Sequence, residues 1–179
     1  MQRFYLAILM LATIGAAKAD GLDIFLNDRT VSVEYLTTYR GSDISFGFLT
    51  GTSSNWVASA GLLVLGRDYG SGYKVEGGLG VKVYLTSVGG NSVMAAAIGG
   101  QAIYFPRSSK FGVGGFLYYS PDIITFGGSS FIEYGVRAEY RLLETASIYV
   151  GLHNVAVSPD AGGNVRIDDG LHVGINLRF

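Results

Sequence analysis

The strongest constraint on the fold is a two-residue rhythm. In Phe131 to Leu142, Ile132, Tyr134, Val136, Ala138, Tyr140 and Leu142 share one face of an extended chain, while Glu133, Arg137, Glu139 and Arg141 share the other. A helix would scatter both sets around its surface; a strand sorts them. The same sorting recurs in Tyr73 to Leu85, where Tyr73, Val75, Leu79, Val81, Val83 and Leu85 oppose Lys74, Glu76 and Lys82. It recurs again in Gly170 to Phe179, where Leu171, Val173, Ile175, Leu177 and Phe179 oppose His172, Gly174, Asn176 and Arg178.

Between these segments the chain reads as strand and turn throughout. Leu22 to Leu26 and Thr30 to Thr38 flank the turn signal Asn27-Asp28-Arg29, and Ile44 to Thr50 places Ile44, Phe46 and Phe48 on one side. Trp56 to Leu65 is apolar on both faces, and Arg67 to Gly72 reads as a turn. Val93 to Phe105 is rich in Ala and Gly and ends at Pro106, and Phe111 to Ser120 turns Phe111, Val113, Leu117 and Tyr119 outward. Pro121 to Ser130 reads as a long exposed loop, and Ser158 to Asp169 as a second one after the strand Ser147 to Val157. The count is about ten segments, each near the roughly 9 to 11 residues of a tilted membrane strand. Eight is the alternative, because the first hairpin is short and the Trp56 segment ambiguous.

Alternation alone fits a soluble barrel with its apolar face inward as well as a membrane barrel with that face outward. Three features favour the membrane: the aromatic last residue Phe179, rings near strand ends (Tyr35, Tyr73, Phe105, Tyr119, Tyr140), and longer loops on one side. The expected fold is an all-β transmembrane antiparallel up-and-down barrel. The N-terminus supports export: Arg3, the apolar run Phe4 to Ile14 and Ala17-Lys18-Ala19 form a secretory leader over residues 1–19, leaving 20–179 as the barrel. Without Arg3 and Lys18 the 13 basic residues fall to 11 against 14 acidic ones, a charge of −3 that argues against nucleic acid as a partner. With no Cys, disulfides and thiolate metal sites are excluded.

Gly99 to Phe105 (GGQAIYF), Tyr118 to Asp122 (YYSPD) and Asp169 to Asn176 (DGLHVGIN), with the leader and terminal Phe, resemble the YfaZ family of small proteobacterial outer-membrane proteins. The likeness is strongest from about Gly99 onward. It implies an outer-membrane location and a porin-like barrel; the family supplies no catalytic residues to carry over.

The inward face is the candidate functional region. Lys74, Glu76, Lys82, Glu133, Arg137, Glu139, Arg141, His153, His172 and Arg178 are expected to line the lumen, either as a structural ion-pair core or as a narrow path for small solutes or ions. A lipid-modifying enzyme is an alternative resting on His153 and His172, which a regular hairpin would set diagonally across neighbouring strands; a soluble periplasmic ligand-binding barrel is the other. No Ser stands beside either His in a recognisable arrangement, and Ser120 and Ser158 sit where turn chemistry is expected. Asp122, Asp160, Asp168 and Asp169 fall in the expected loops, with spacing that matches no calcium loop. No cofactor signature is present. The expected partners are outer-membrane lipid and lipopolysaccharide, and the barrel-assembly machinery through the last strand and Phe179.

Overall fold

The computed structural model describes residues 21–51, 55–106, 109–160 and 162–179. The expected leader, residues 1–19, lies outside them. Eleven strands are described: β1 (Gly21–Leu26), β2 (Thr30–Tyr39), β3 (Ser42–Gly51), β4 (Trp56–Gly70), β5 (Tyr73–Val88), β6 (Asn91–Pro106), β7 (Phe111–Ser120), the two-residue β8 (Thr125–Phe126), β9 (Gly128–Leu143), β10 (Ala146–Pro159) and β11 (Val165–Arg178). All but β8 close into a ten-stranded antiparallel barrel, each pairing with its sequence neighbour and β1 closing on β11 through Gly21↔Arg178 to Leu26↔Val173. The alternative of eight strands is thereby set aside. No helix among the described residues is long and apolar enough to cross a membrane, so any crossing falls to strands.

The rhythm of the sequence maps directly onto the wall. Phe46, Leu62, Leu79, Ile98, Leu117, Val136, Leu152 and Leu171, from eight different strands, point outward and are 47–77% exposed. The charged alternates point inward. A soluble barrel has the opposite arrangement, because water outside would not tolerate a continuous apolar girdle of this extent. In β4, Val57 and Leu63 are buried inside while Leu62 and Val64 face out, which resolves a segment that is apolar on both faces. Trp56 also faces out and stacks on Phe48, with centroids 6.3 Å apart.

The end that carries Gly21 and Arg178 is closed by tight connections. Arg40-Gly41 has both φ values positive (52° and 84°), as the two-residue hairpin matching strand twist requires. Ser71-Gly72 and Glu144-Thr145 are equally short. The opposite, distal end carries the longer connections on average, although Gly89-Gly90 there is also a two-residue turn. By the rule of short periplasmic turns, the terminal end faces the periplasm.

Several expected boundaries shift. The turn expected over Arg67 to Gly72 is mostly strand, since β4 stays paired with β5 out to Gly70↔Tyr73. The expected loop Pro121 to Ser130 is instead an excursion of β7. After Ser120 the chain makes a 3-10 turn, Asp122–Ile124, and β8 returns to pair with β6 (Met94↔Phe126, Ala95↔Thr125) before Gly127, at φ 76°, turns into β9. Ser120, fully buried, meets Thr125 Oγ1 at 2.8 Å, and that hydroxyl is also 2.9 Å from the Pro121 carbonyl, so the excursion is pinned at its neck. The expected loop Ser158 to Asp169 shrinks to Asp160–Asn164, because β10 and β11 remain paired to Val157↔Val165 through a bulge at Val155/Ala156. Phe105, expected in the aromatic girdle, points inward and is buried. It pairs with Lys74, whose face is the lumen.

Candidate functional site

Inside the wall, side chains segregate by depth. At the distal end an apolar stopper crosses the lumen: Leu49, Val57, Val88, Val93, Phe131, Val155, Val157 and Ile167 pack together, and Tyr84 stacks on Phe131 with centroids 4.3 Å apart. These residues come from β3, β4, β5, β6, β9, β10 and β11, and Tyr118 of β7 belongs to the same cluster, with Phe25 of β1 packed against it.

Below the stopper lies a hydrogen-bonded polar layer. The Tyr84 hydroxyl donates to Glu133, and Lys82 Nζ bridges Glu34 at 2.9 Å and Glu133 at 3.9 Å while sitting 4.9 Å over the Tyr118 ring. His153 is held at both ring nitrogens: Nδ1 against Asp168 and Nε2 at 3.2 Å from Glu133. Asp168 also accepts from Asn27 Nδ2 at 2.6 Å and Thr30 Oγ1 at 2.7 Å. It therefore ties β11 to the β1–β2 turn at a level where β1 has already ended. His172 is buried against Phe25, Tyr149 and His153, with centroids 4.7, 5.6 and 5.9 Å away; its Nδ1 has no hydrogen-bond partner among the described residues. A space of about 80 Å³ separates this layer from the next.

A third layer centres on Asp23, which accepts from Tyr149, from Asn176 at 3.0 Å and from Arg137 at 3.3 Å. Arg137 also reaches Glu139 at 3.4 Å and lies 5.0 Å over the Tyr149 ring. Nearest the terminal end, Glu76 accepts Lys74 at 2.6 Å, Arg141 at 3.3 Å and Arg67 at 3.6 Å, and Arg141 stacks 3.6 Å from the Phe105 centroid. From the Asp23 layer to the terminal mouth runs a vestibule of about 520 Å³ whose wall includes Asp23, Glu34, Arg67, Gln101, Arg137 and Arg178. It opens at the end where β1 starts and β11 ends.

The sequence-derived lumen set thus falls on the inner face, distributed over three tiers: Lys82, Glu133, His153 and His172 deepest, Arg137 and Glu139 in the middle, Lys74, Glu76 and Arg141 near the mouth, with Arg178 exposed at the rim. Phe179 lies just beyond β11 and is exposed. Sequence reasoning missed Asp23, Tyr84, Tyr149 and Asp168 as members. The first three carry the same signal as the residues that were found, a polar group alternating with apolar neighbours; Asp168 shares the parity of His172 but is masked by the turn-like composition of Asp168-Asp169-Gly170. It is a buried lumen residue and not a loop acid. Its neighbour Asp169 does face out, paired with Arg166 at 2.8 Å. Ser120 and Ser158 are engaged in strand-end hydrogen bonds, Ser158 accepting from Ser130 at 3.3 Å. Among the described residues no group of three or more His, Asp or Glu is arranged to hold a metal ion.

Wall, girdle and filled lumen together define a small outer-membrane β-barrel of porin-like architecture. The sequence model of the family described as "YfaZ precursor" matches residues 1–179, and the chain belongs to that family. Among curated relatives it is 30% identical over 166 residues to the "Outer membrane protein YfaZ" of Escherichia coli (strain K12), covering 86% of this chain and 90% of that protein. Solved structures similar to it include a KdgM porin (15% identity, TM-score 0.44) and the same porin in complex with disordered oligogalacturonate (14%, 0.44), each match covering 89% of this chain and 98% of the other. A bacterial polysaccharide outer membrane secretin is more distant, at 11% identity and a TM-score of 0.42, over 89% of this chain and 69% of that one.

Proposed function

We propose that the protein is a porin-like barrel held shut: a charged vestibule open toward the periplasm, admitting small solutes or ions as far as the stopper, with no continuous path to the cell surface in this conformation. The observation that carries the reading is the stopper, in which Phe131, Val93 and Val157 are at most 2% exposed. A barrel slightly wider than eight strands is close to the size at which side chains fill the interior, and here an apolar layer completes the filling on one side only. Outer-membrane lipid would contact the apolar girdle, lipopolysaccharide the distal rim, and the assembly machinery the last strand.

A non-enzymatic role is supported by His153. A histidine acting as general base needs one nitrogen oriented by an acid and the other free to take a proton from the nucleophile. Both nitrogens of His153 face carboxylates. Deleting the protein is expected to leave the lipid A mass profile unchanged.

Planar-bilayer recording of the purified full chain tests the reading. Wild-type protein should show no steady open-channel steps, and Phe131→Ala combined with Tyr84→Ala should produce them. Steady wild-type conductance would refute the closed lumen.

A further inference from the structure

We infer that the terminal mouth of the lumen is a recognition site for small anionic solutes bearing carboxylate or phosphate groups. The inference rests on the vestibule reading above and adds the chemistry of what that space takes up.

The charges of the lumen are not evenly mixed. In the two deeper tiers, the acids Asp23, Glu34, Glu133, Glu139 and Asp168 outnumber Lys82 and Arg137, and His153 is committed to two of them. At the mouth the balance reverses. Arg67, Lys74 and Arg141 converge on one carboxylate, Glu76, at 2.6 to 3.6 Å. Arg178, across the opening on β11, has no ion-pair partner among the described residues, although its charge is felt at Glu76. Of the other acids lining the vestibule, Asp43 accepts from Thr38 at 2.6 Å, and Asp23 and Glu34 are partnered by Arg137 and Lys82. One carboxylate cannot saturate three cations that together carry more than ten N–H donors, since it offers about four lone-pair sites.

The excess donors have somewhere to point. Arg67 and Arg178 both line the vestibule of about 520 Å³, whose polar floor includes Gln101, a side chain without a hydrogen-bond partner among the described residues. Two guanidinium forks on a cavity wall are suited to bidentate contact with planar carboxylate or tetrahedral phosphate oxygens. Arg141 is held in place by the Phe105 face and Lys74 by Glu76, so their charge is fixed in position before any ligand arrives. The deeper acids repel an anion that has entered, which confines it to the mouth. This is the arrangement of a site that concentrates an anion at the periplasmic entrance.

Isothermal titration of the full chain, refolded in detergent at low salt, tests the site with inorganic phosphate, with succinate and with choline as the cationic control. Phosphate or succinate should bind saturably, the stronger of the two identifying the oxyanion class, and choline should not bind. Arg67→Ala with Arg178→Ala should weaken anion binding by about tenfold or more, the loss expected when charge-assisted hydrogen bonds are removed. Both side chains are well exposed, and the heat-modifiable gel shift of the double variant should match wild type. Glu76→Gln, which frees the three cations, should tighten binding. Absence of saturable anion binding to the wild type, or wild-type affinity in the folded double variant, would overturn the inference. Conductance reports on the stopper and titration on the mouth, so either reading can fail without the other.

Discussion

Arg at position 136 is the sharpest probe of which solvent the wall is built for. Val136 stands near the middle of β9, eight residues after Gly128 and seven before Leu143, and points outward at 56% exposure. Its cross-strand neighbours are Gly115 and Leu152, neither of which can pair with a guanidinium. If the girdle contacts hydrocarbon, Val136→Arg should destabilise the barrel by about 2 to 4 kcal/mol, because an arginine at that depth must snorkel or draw water and headgroups inward. Leu143→Arg, also outward but at the end of the same strand, is the control; there the cost should fall to about 0 to 1 kcal/mol. Reversible denaturant unfolding in phospholipid vesicles, followed by the fluorescence of the single tryptophan, Trp56, gives both values on one scale. A water-facing wall predicts two small and similar numbers. Equal effects of Val136→Arg and Leu143→Arg would refute the lipid-facing assignment, whatever their size.

Four other perturbations address the interior. Arg137→Ala, one residue along on the opposite face, strands Asp23 and Glu139 and should destabilise by up to about 3 to 5 kcal/mol, less to the extent that water from the vestibule reaches the half-buried pair; the same unfolding assay reads it. Phe131→Ala alone removes the ring at the centre of the stopper and should cost about 3 to 5 kcal/mol, with the lower end expected if Tyr84 collapses into the space. Asp168→Asn weakens its contacts to His153, Asn27 and Thr30 together, and should raise amide hydrogen exchange in the β1–β2 turn more than in the β4–β5 turn. Gly80→Ala drives a Cβ into the Leu62 carbonyl oxygen, a contact with backbone that cannot be relieved by a rotamer change, so folded yield should drop sharply.

The wall was legible because its code is local. Each residue of Phe131 to Leu142 announces its face by its neighbours two positions away, and that needs no knowledge of any other strand. The tiers inside were not legible, because they depend on register between strands far apart in the chain. Asp23 and Arg137 are 114 positions apart, and Glu76 and Arg141 are 65 apart. Nothing in either local sequence names the partner. Asp168 failed for a different reason: Asp168-Asp169-Gly170 has the composition of a turn, which masks that Asp168 keeps the inward parity of His172 along β11, the ladder staying in register to Val155↔Asp168. Phe105 illustrates the cost of a one-residue slip, since Tyr104 faces out and Phe105 faces in, and an aromatic pair at a strand end carries no mark of which ring is which.

The six-residue ladder between β1 and β11 has a kinetic consequence. Every other ladder of the barrel joins consecutive strands, so hairpins can form and extend by closing short loops. β1 and β11 instead join positions separated by 147 to 157 residues, and the entropy of bringing chain ends together falls on this one seam. It is also among the shortest ladders, and above it the two walls are held by the Asp168 side chain in place of backbone pairing. Closure is therefore expected to be the slow step and the seam the first to open. Substitutions at Asn27, Thr30 and Asp168 should act chiefly on the rate at which an already curved sheet becomes a barrel, and on the rate at which it springs open.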